Sequence, residues 1–161
     1  MEYKLLTTSE TKTFVVVFAE GDEFTEEMLR FAREEQLTAA SFTALGAFSD
    51  VTLGWFDLDQ RDYLENSVDE QVEVVSLVGN IAEFEGQPKL HAHVVVAKRD
   101  ATALGGHLLS AHVRPTLEVT VTETPVHLHR LHDPSTGLAL IRPGGEGLPP
   151  RGGRKPDAGV R

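Results

Sequence analysis

Runs of β-branched and aromatic residues recur along most of this chain, and only one stretch carries a helical period. Thr13-Phe14-Val15-Val16-Val17-Phe18-Ala19 is the first such run, and Val72–Leu77, Leu90–Val96 and Leu117–Val121 repeat its character. Branching at Cβ restricts χ1 and suits a pleated strand better than a helix. A chain patterned this way must build a sheet. The unbroken apolar run at 13–19 predicts a strand buried on both faces.

Gly21-Asp22 interrupts the first strand. Phe24, Met28, Phe31, Ala32 and Glu35 then follow at helical spacing, which predicts a helix over about 22–36. Asp22 or Thr25 is its N-cap candidate, and Glu26 and Glu27 favour its N-terminus through the helix dipole.

Further strands are predicted at Ala39–Ala44, Val51–Phe56 and Val126–Leu131, with a turn at Gly46–Asp50 between the first two. Gly79-Asn80 reads as a hairpin bend or bulge, Gly86-Gln87-Pro88 as a hairpin link and Asp133–Gly137 as a turn. Asp57–Asp62 reads as a solvated acidic loop. One helix among many strands gives an α+β fold: a compact single domain with a largely antiparallel sheet. The domain should span 1–141. Residues 142–161, rich in Gly, Pro and Arg, offer little to bury and are expected to form a flexible tail.

Composition removes several function classes. There is no cysteine, which excludes disulfides, thiolate zinc sites and a cysteine nucleophile. No G-x-S-x-G or phosphate-loop motif is present. Gly105-Gly106 could cradle an anion but lacks any nucleotide-binding context. No apolar run approaches the ~20 residues needed to span a bilayer, and Met1–Leu6 lacks signal-peptide character. The chain reads as a soluble cytoplasmic protein. Its net charge is −10, which argues against a general nucleic-acid-binding body. Residues 142–161 hold five basic and two acidic residues, a local +3 against −13 for 1–141.

The chemistry concentrates in histidine. His91 and His93 are two residues apart in a predicted strand and share a face. His107 follows Gly105-Gly106, whose small size allows close backbone approach. Three neutral imidazoles form a familiar Zn²⁺ set, and Ni²⁺ and Cu²⁺ also suit them. The plain alternative is three packed or hydrogen-bonded histidines. His127, His129 and His132 form a second set, read as a solvated face near a sheet edge, and His112 is read as structural or exposed.

Five segments in order resemble the plants-and-prokaryotes-conserved (PPC) domain in its prokaryotic stand-alone form. They are Gly46–Asp57, Glu73–Ala82, Leu90-His91-Ala92-His93, Leu104-Gly105-Gly106-His107-Leu108 and Pro115–Val119. The resemblance covers about residues 3–141. It implies a compact α+β domain with a central antiparallel sheet, assembled as a homotrimer. Some members resemble proteins with a histidine-bound zinc, and the matching positions here are His91, His93 and His107. In plants the domain accompanies AT-hooks that bind A·T-rich DNA, and the prokaryotic forms are called DNA-binding by that analogy. Here Pro150-Arg151-Gly152-Gly153-Arg154-Lys155-Pro156 departs from the Arg-Gly-Arg-Pro core, leaving Arg151, Arg154 and Lys155 as candidates for weak DNA contact. The alternative is a zinc-dependent hydrolase or lyase acting on a small molecule, for which no catalytic carboxylate can be assigned from sequence.

Overall fold

The computed structural model describes residues 2–7, 11–125 and 127–142. Among them run β1 (Glu2–Thr7), β2 (Lys12–Ala19), α1 (Phe24–Glu34), β3 (Ala39–Asp57), β4 (Asp62–Val68), β5 (Val72–Phe84), β6 (Gln87–Ala97), β7 (Ala103–Glu123), β8 (Arg130–His132) and β9 (Ala139–Ile141). The first seven strands form one antiparallel sheet in the order β1-β2-β7-β6-β5-β3-β4. An additional β7–β3 pairing closes β3, β7, β6 and β5 into a ring. β8 and β9 make a separate small ribbon.

The expected antiparallel sheet and single helix are present, with the fold weighted more heavily to strand than a generic α+β domain. The helix is shorter than expected. Neither Asp22 nor Thr25 caps it; Glu23 does, its carboxylate accepting from the Glu26 amide at 2.7 Å and the Ala111 amide at 3.0 Å. The helix stops at Glu34 because Gln36 turns to a positive φ of 55°. Buried Glu123 of β7 then accepts from the Thr38 and Ala39 amides at 2.9 and 3.1 Å, which fixes the exit from the helix onto β3.

α1 buries Phe24, Met28, Phe31 and Ala32 and packs against β6 and β7. Phe31 meets Phe14 edge-on at 5.3 Å, and Phe24 meets Phe18 at 5.4 Å. Each such fully buried apolar side chain contributes about 1.5–3 kcal/mol. The core gathers these residues with the inward positions of β2, β3, β5, β6 and β7.

Several sequence expectations are corrected. β2 is not buried on both faces: Phe14, Val16 and Phe18 face the core while Val17 is exposed, because only one side of this part of the sheet is covered. Gly46–Asp50 is not a turn. β3 runs straight through it with register shifts, and a Cβ on Gly46 (φ +148°) would stand 2.3 Å from the Thr116 carbonyl oxygen. Gly79-Asn80 is not a bend either, but the middle of β5; the bulge in β5 lies at Val74/Ser76. The hairpin link holds, turning at Glu85-Gly86, both of positive φ. The predicted strand 126–131 reduces to Arg130–His132, and His127 lies outside it. Among the described residues, no helix is long and apolar enough to cross a membrane.

Candidate metal centre

β6 and β7 bring the three histidines together. His91 and His93 leave β6 on the same face, and His107 on β7 is paired directly with His93. The Nε2 atoms of His91 and His93 are 3.3 Å apart. One ring nitrogen from each of the three lies within 4.8 Å of the others. Ring centroids are separated by 5.1 Å for His91–His93, 5.1 Å for His91–His107 and 5.4 Å for His93–His107.

Glycines make this approach possible. A Cβ on Gly105 would come 3.2 Å from the Val94 carbonyl oxygen, and one on Gly106 would come 2.9 Å from that of Gly54. These glycines serve close strand packing. Gly54 is the β3 register partner of His107, and a Cβ there would strike the Tyr63 ring at 2.7 Å. Its absence lets Tyr63 stack on His107, with ring centroids 4.6 Å apart and planes 27° apart.

The environment keeps two of the rings neutral. Burial, followed by the fields of His91 and His93, lowers the His107 pKa to about 4. Burial, then Arg130 and His93, lowers that of His91. Neutral imidazole is the metal-binding form. Two imidazole nitrogens bound tetrahedrally to Zn²⁺ at 2.0–2.1 Å stand about 3.3 Å apart, which matches the observed His91–His93 spacing. His107 Nδ1 is buried without a described hydrogen-bond partner. Such an atom needs a ligand, and a metal would supply one. The residues therefore fit a divalent metal.

Residues 6–125 match the sequence profile of the Plants and Prokaryotes Conserved domain, abbreviated PCC or PPC. The chain belongs to this family. It is similar to a candidate DNA-binding protein of Ralstonia eutropha JMP134 at 31% identity and TM-score 0.78, covering 91% of this chain and 96% of that one. A metal-containing protein of Archaeoglobus fulgidus is 29% identical with TM-score 0.76, covering 88% and 96%. A PPC protein of Pyrococcus horikoshii is 25% identical with TM-score 0.77, covering 88% and 94%. Comparison with curated proteins gives no significant match.

Among the described residues of this PPC domain, His91, His93 and His107 are the one group of three or more potential ligands that converges. His127 and His129 stack at 6.4 Å, and His129 Nδ1 lies 3.4 Å from Glu83, but they form no such cluster with His132. His112 is exposed and bonds Asp50 at 2.8 Å. Arg151, Arg154 and Lys155 lie outside the described residues.

Two residues beside the histidines escape sequence reasoning. Tyr63 sits on β4, a mostly exposed edge strand without an apolar pattern. Arg130 follows the family's matched span and carries no motif, yet it is only 6% exposed.

Proposed function

We propose that this chain is a homotrimeric metal-binding PPC module whose His91, His93 and His107 hold a divalent metal, best suited to Zn²⁺. The observation that carries the reading is the convergence of three imidazole nitrogens within 4.8 Å, with no carboxylate in the set. The Archaeoglobus relative described as metal-containing supports it. Assembly is supported by exposed apolar residues on adjacent strands: Leu45 of β3, Val75 and Val78 of β5, and Val95 of β6. An apolar surface of this kind commonly marks an interface.

Elemental analysis of untagged protein tests the metal site. The parent should carry about one metal per chain. His91→Ala and His107→Ala should each lose most of it, because two imidazoles hold Zn²⁺ far more weakly than three. His127→Ala and His129→Ala should keep it. A metal-free parent, or equal loss at His127 or His129, would reject the assignment.

A second reading, a zinc-dependent hydrolase or lyase, is favoured by a cleft of about 460 Å³ bordered by His91 and His107. Zinc in such a setting polarises a carbonyl or lowers the pKa of a water. Weak contact of the tail residues Arg151, Arg154 and Lys155 with A·T-rich DNA rests on the description of relatives as candidate DNA-binding proteins. Removing residues 142–161 should abolish binding to A·T-rich duplex at low salt; undiminished binding by the shortened chain would refute the tail's role.

A further inference from the structure

The cleft beside the histidines holds a buried cation without a counter-charge. Arg130 Nη1 donates to the Ala139 carbonyl at 3.0 Å, and Nη2 donates to Asn80 Oδ1. Its Nε has no described partner. Among the described residues, no Asp or Glu forms an ion pair with it. Burying an unpaired charge is unfavourable, so the fold carries an uncompensated guanidinium, which burial disfavours, at the wall of a cavity.

The cleft's other walls sharpen the point. Its polar lining is Tyr63, Asn80, Lys89, His91, His107 and Arg130, with residues 137–141 closing one side. Two of these are cations and none is acidic, in a chain of net charge −10. A volume of about 460 Å³ suits a small metabolite. No residue of α1 lines the cleft, so it includes no helix N-terminus. It therefore lacks the usual phosphate cradle. A planar guanidinium edge fits a planar carboxylate.

We infer that this cleft is a binding site for a small carboxylate, whose anionic group is received by Arg130 next to the histidine cluster. Asn80 and the Ala139 carbonyl orient the guanidinium, and Lys89, whose ammonium lies 4.9 Å from the Phe84 ring centroid, borders the cleft. The inference deepens the metal reading by naming a ligand class for the same cleft. It rests on that reading for what occupies the cleft's histidine side, but its test does not require the metal.

The test titrates acetate, with chloride balancing ionic strength, into the full ¹⁵N-labelled chain, both after chelator treatment and after zinc loading. Inorganic phosphate is run in parallel. A saturable shift of the Arg130 Nε–H signal and of amides at 137–141 is expected, with phosphate binding more weakly. Arg130→Gln should weaken acetate binding at least tenfold while leaving zinc stoichiometry unchanged, and Arg130→Lys should fall between the two. If Arg130→Gln fails to fold, the Nε–H shift and the Lys variant decide the matter. No saturable shift, tighter phosphate binding, or undiminished acetate binding in the Lys and Gln variants would overturn the inference. Zinc uptake without acetate binding removes only this proposal; acetate binding to a chain that takes up no zinc removes only the metal reading.

Discussion

His112 and Asp50 offer a clean electrostatic check at the level of single residues. The imidazole Nδ1 bonds Asp50 Oδ1 at 2.8 Å across β7 and β3, and Ser49 Oγ donates to the same carboxylate at 2.8 Å. That hydrogen bond raises the His112 pKa above 6.5 against partial desolvation. Partial burial pushes the Asp50 pKa up, but the bonds from His112 and Ser49 outweigh it and leave the pKa lowered. The signs follow from linkage. The His112 contribution is full below pH 6.5 and fades as pH rises through its raised value. The Asp50 contribution is present above pH 3.8 and fades as pH falls through its lowered value. NMR titration should therefore place the His112 midpoint above 6.5, and Asp50→Asn should bring it down. An unchanged midpoint in the variant would show that Asp50 is not the cause. Sequence could not reveal this pair, since 62 residues separate its members. It did reveal His91 and His93, because the i, i+2 rule needs only a strand. Gly79 misled: a Cβ there would meet Phe42 Cζ at 2.2 Å, so this is a packing glycine, although it reads as a bend.

Elements were legible in proportion to how strongly local chemistry sets them. α1 shows four apolar residues at helical spacing and an acidic first turn, so its existence was plain. Its cap was not, because Glu is an uncommon N-cap and its second partner, the Ala111 amide, comes from a strand 88 residues away. Glu23→Ala removes both acceptor functions and leaves the Ala111 amide, in a fully buried residue, without its partner. A loss of about 2 kcal/mol is expected from the cap and the orphaned donor together. The urea midpoint at fixed protein concentration measures it, and Glu23→Gln, which keeps an acceptor, should lose less. No change in either variant would refute the double role of this carboxylate. β3 was read as two strands because Gly46-Ala47-Phe48-Ser49-Asp50 has turn composition, while its continuity is imposed by pairing with β5 and β7. β4 was missed because six of its seven residues are not buried, so no alternating pattern survives.

At the scale of the whole molecule, the run at 13–19 suggested two buried faces, but its Val17 is exposed on β2, as are Leu45 of β3, Val75 and Val78 of β5 and Val95 of β6. A second surface would cover them in a trimer. Light scattering on the untagged chain should give about three times the single-chain mass; a monomer at micromolar concentration would contradict the assembly. The histidines lie on neighbouring strands of that same sheet, with Val78 the direct β5 partner of His93. The central claim remains the metal. Anomalous diffraction at the zinc edge, from crystals of untagged protein grown with Zn²⁺, tests it most directly. The account predicts one strong peak per chain, about 2.0–2.1 Å from a ring nitrogen of each of His91, His93 and His107. No peak among those rings, or the main peak at His127 and His129, would contradict it.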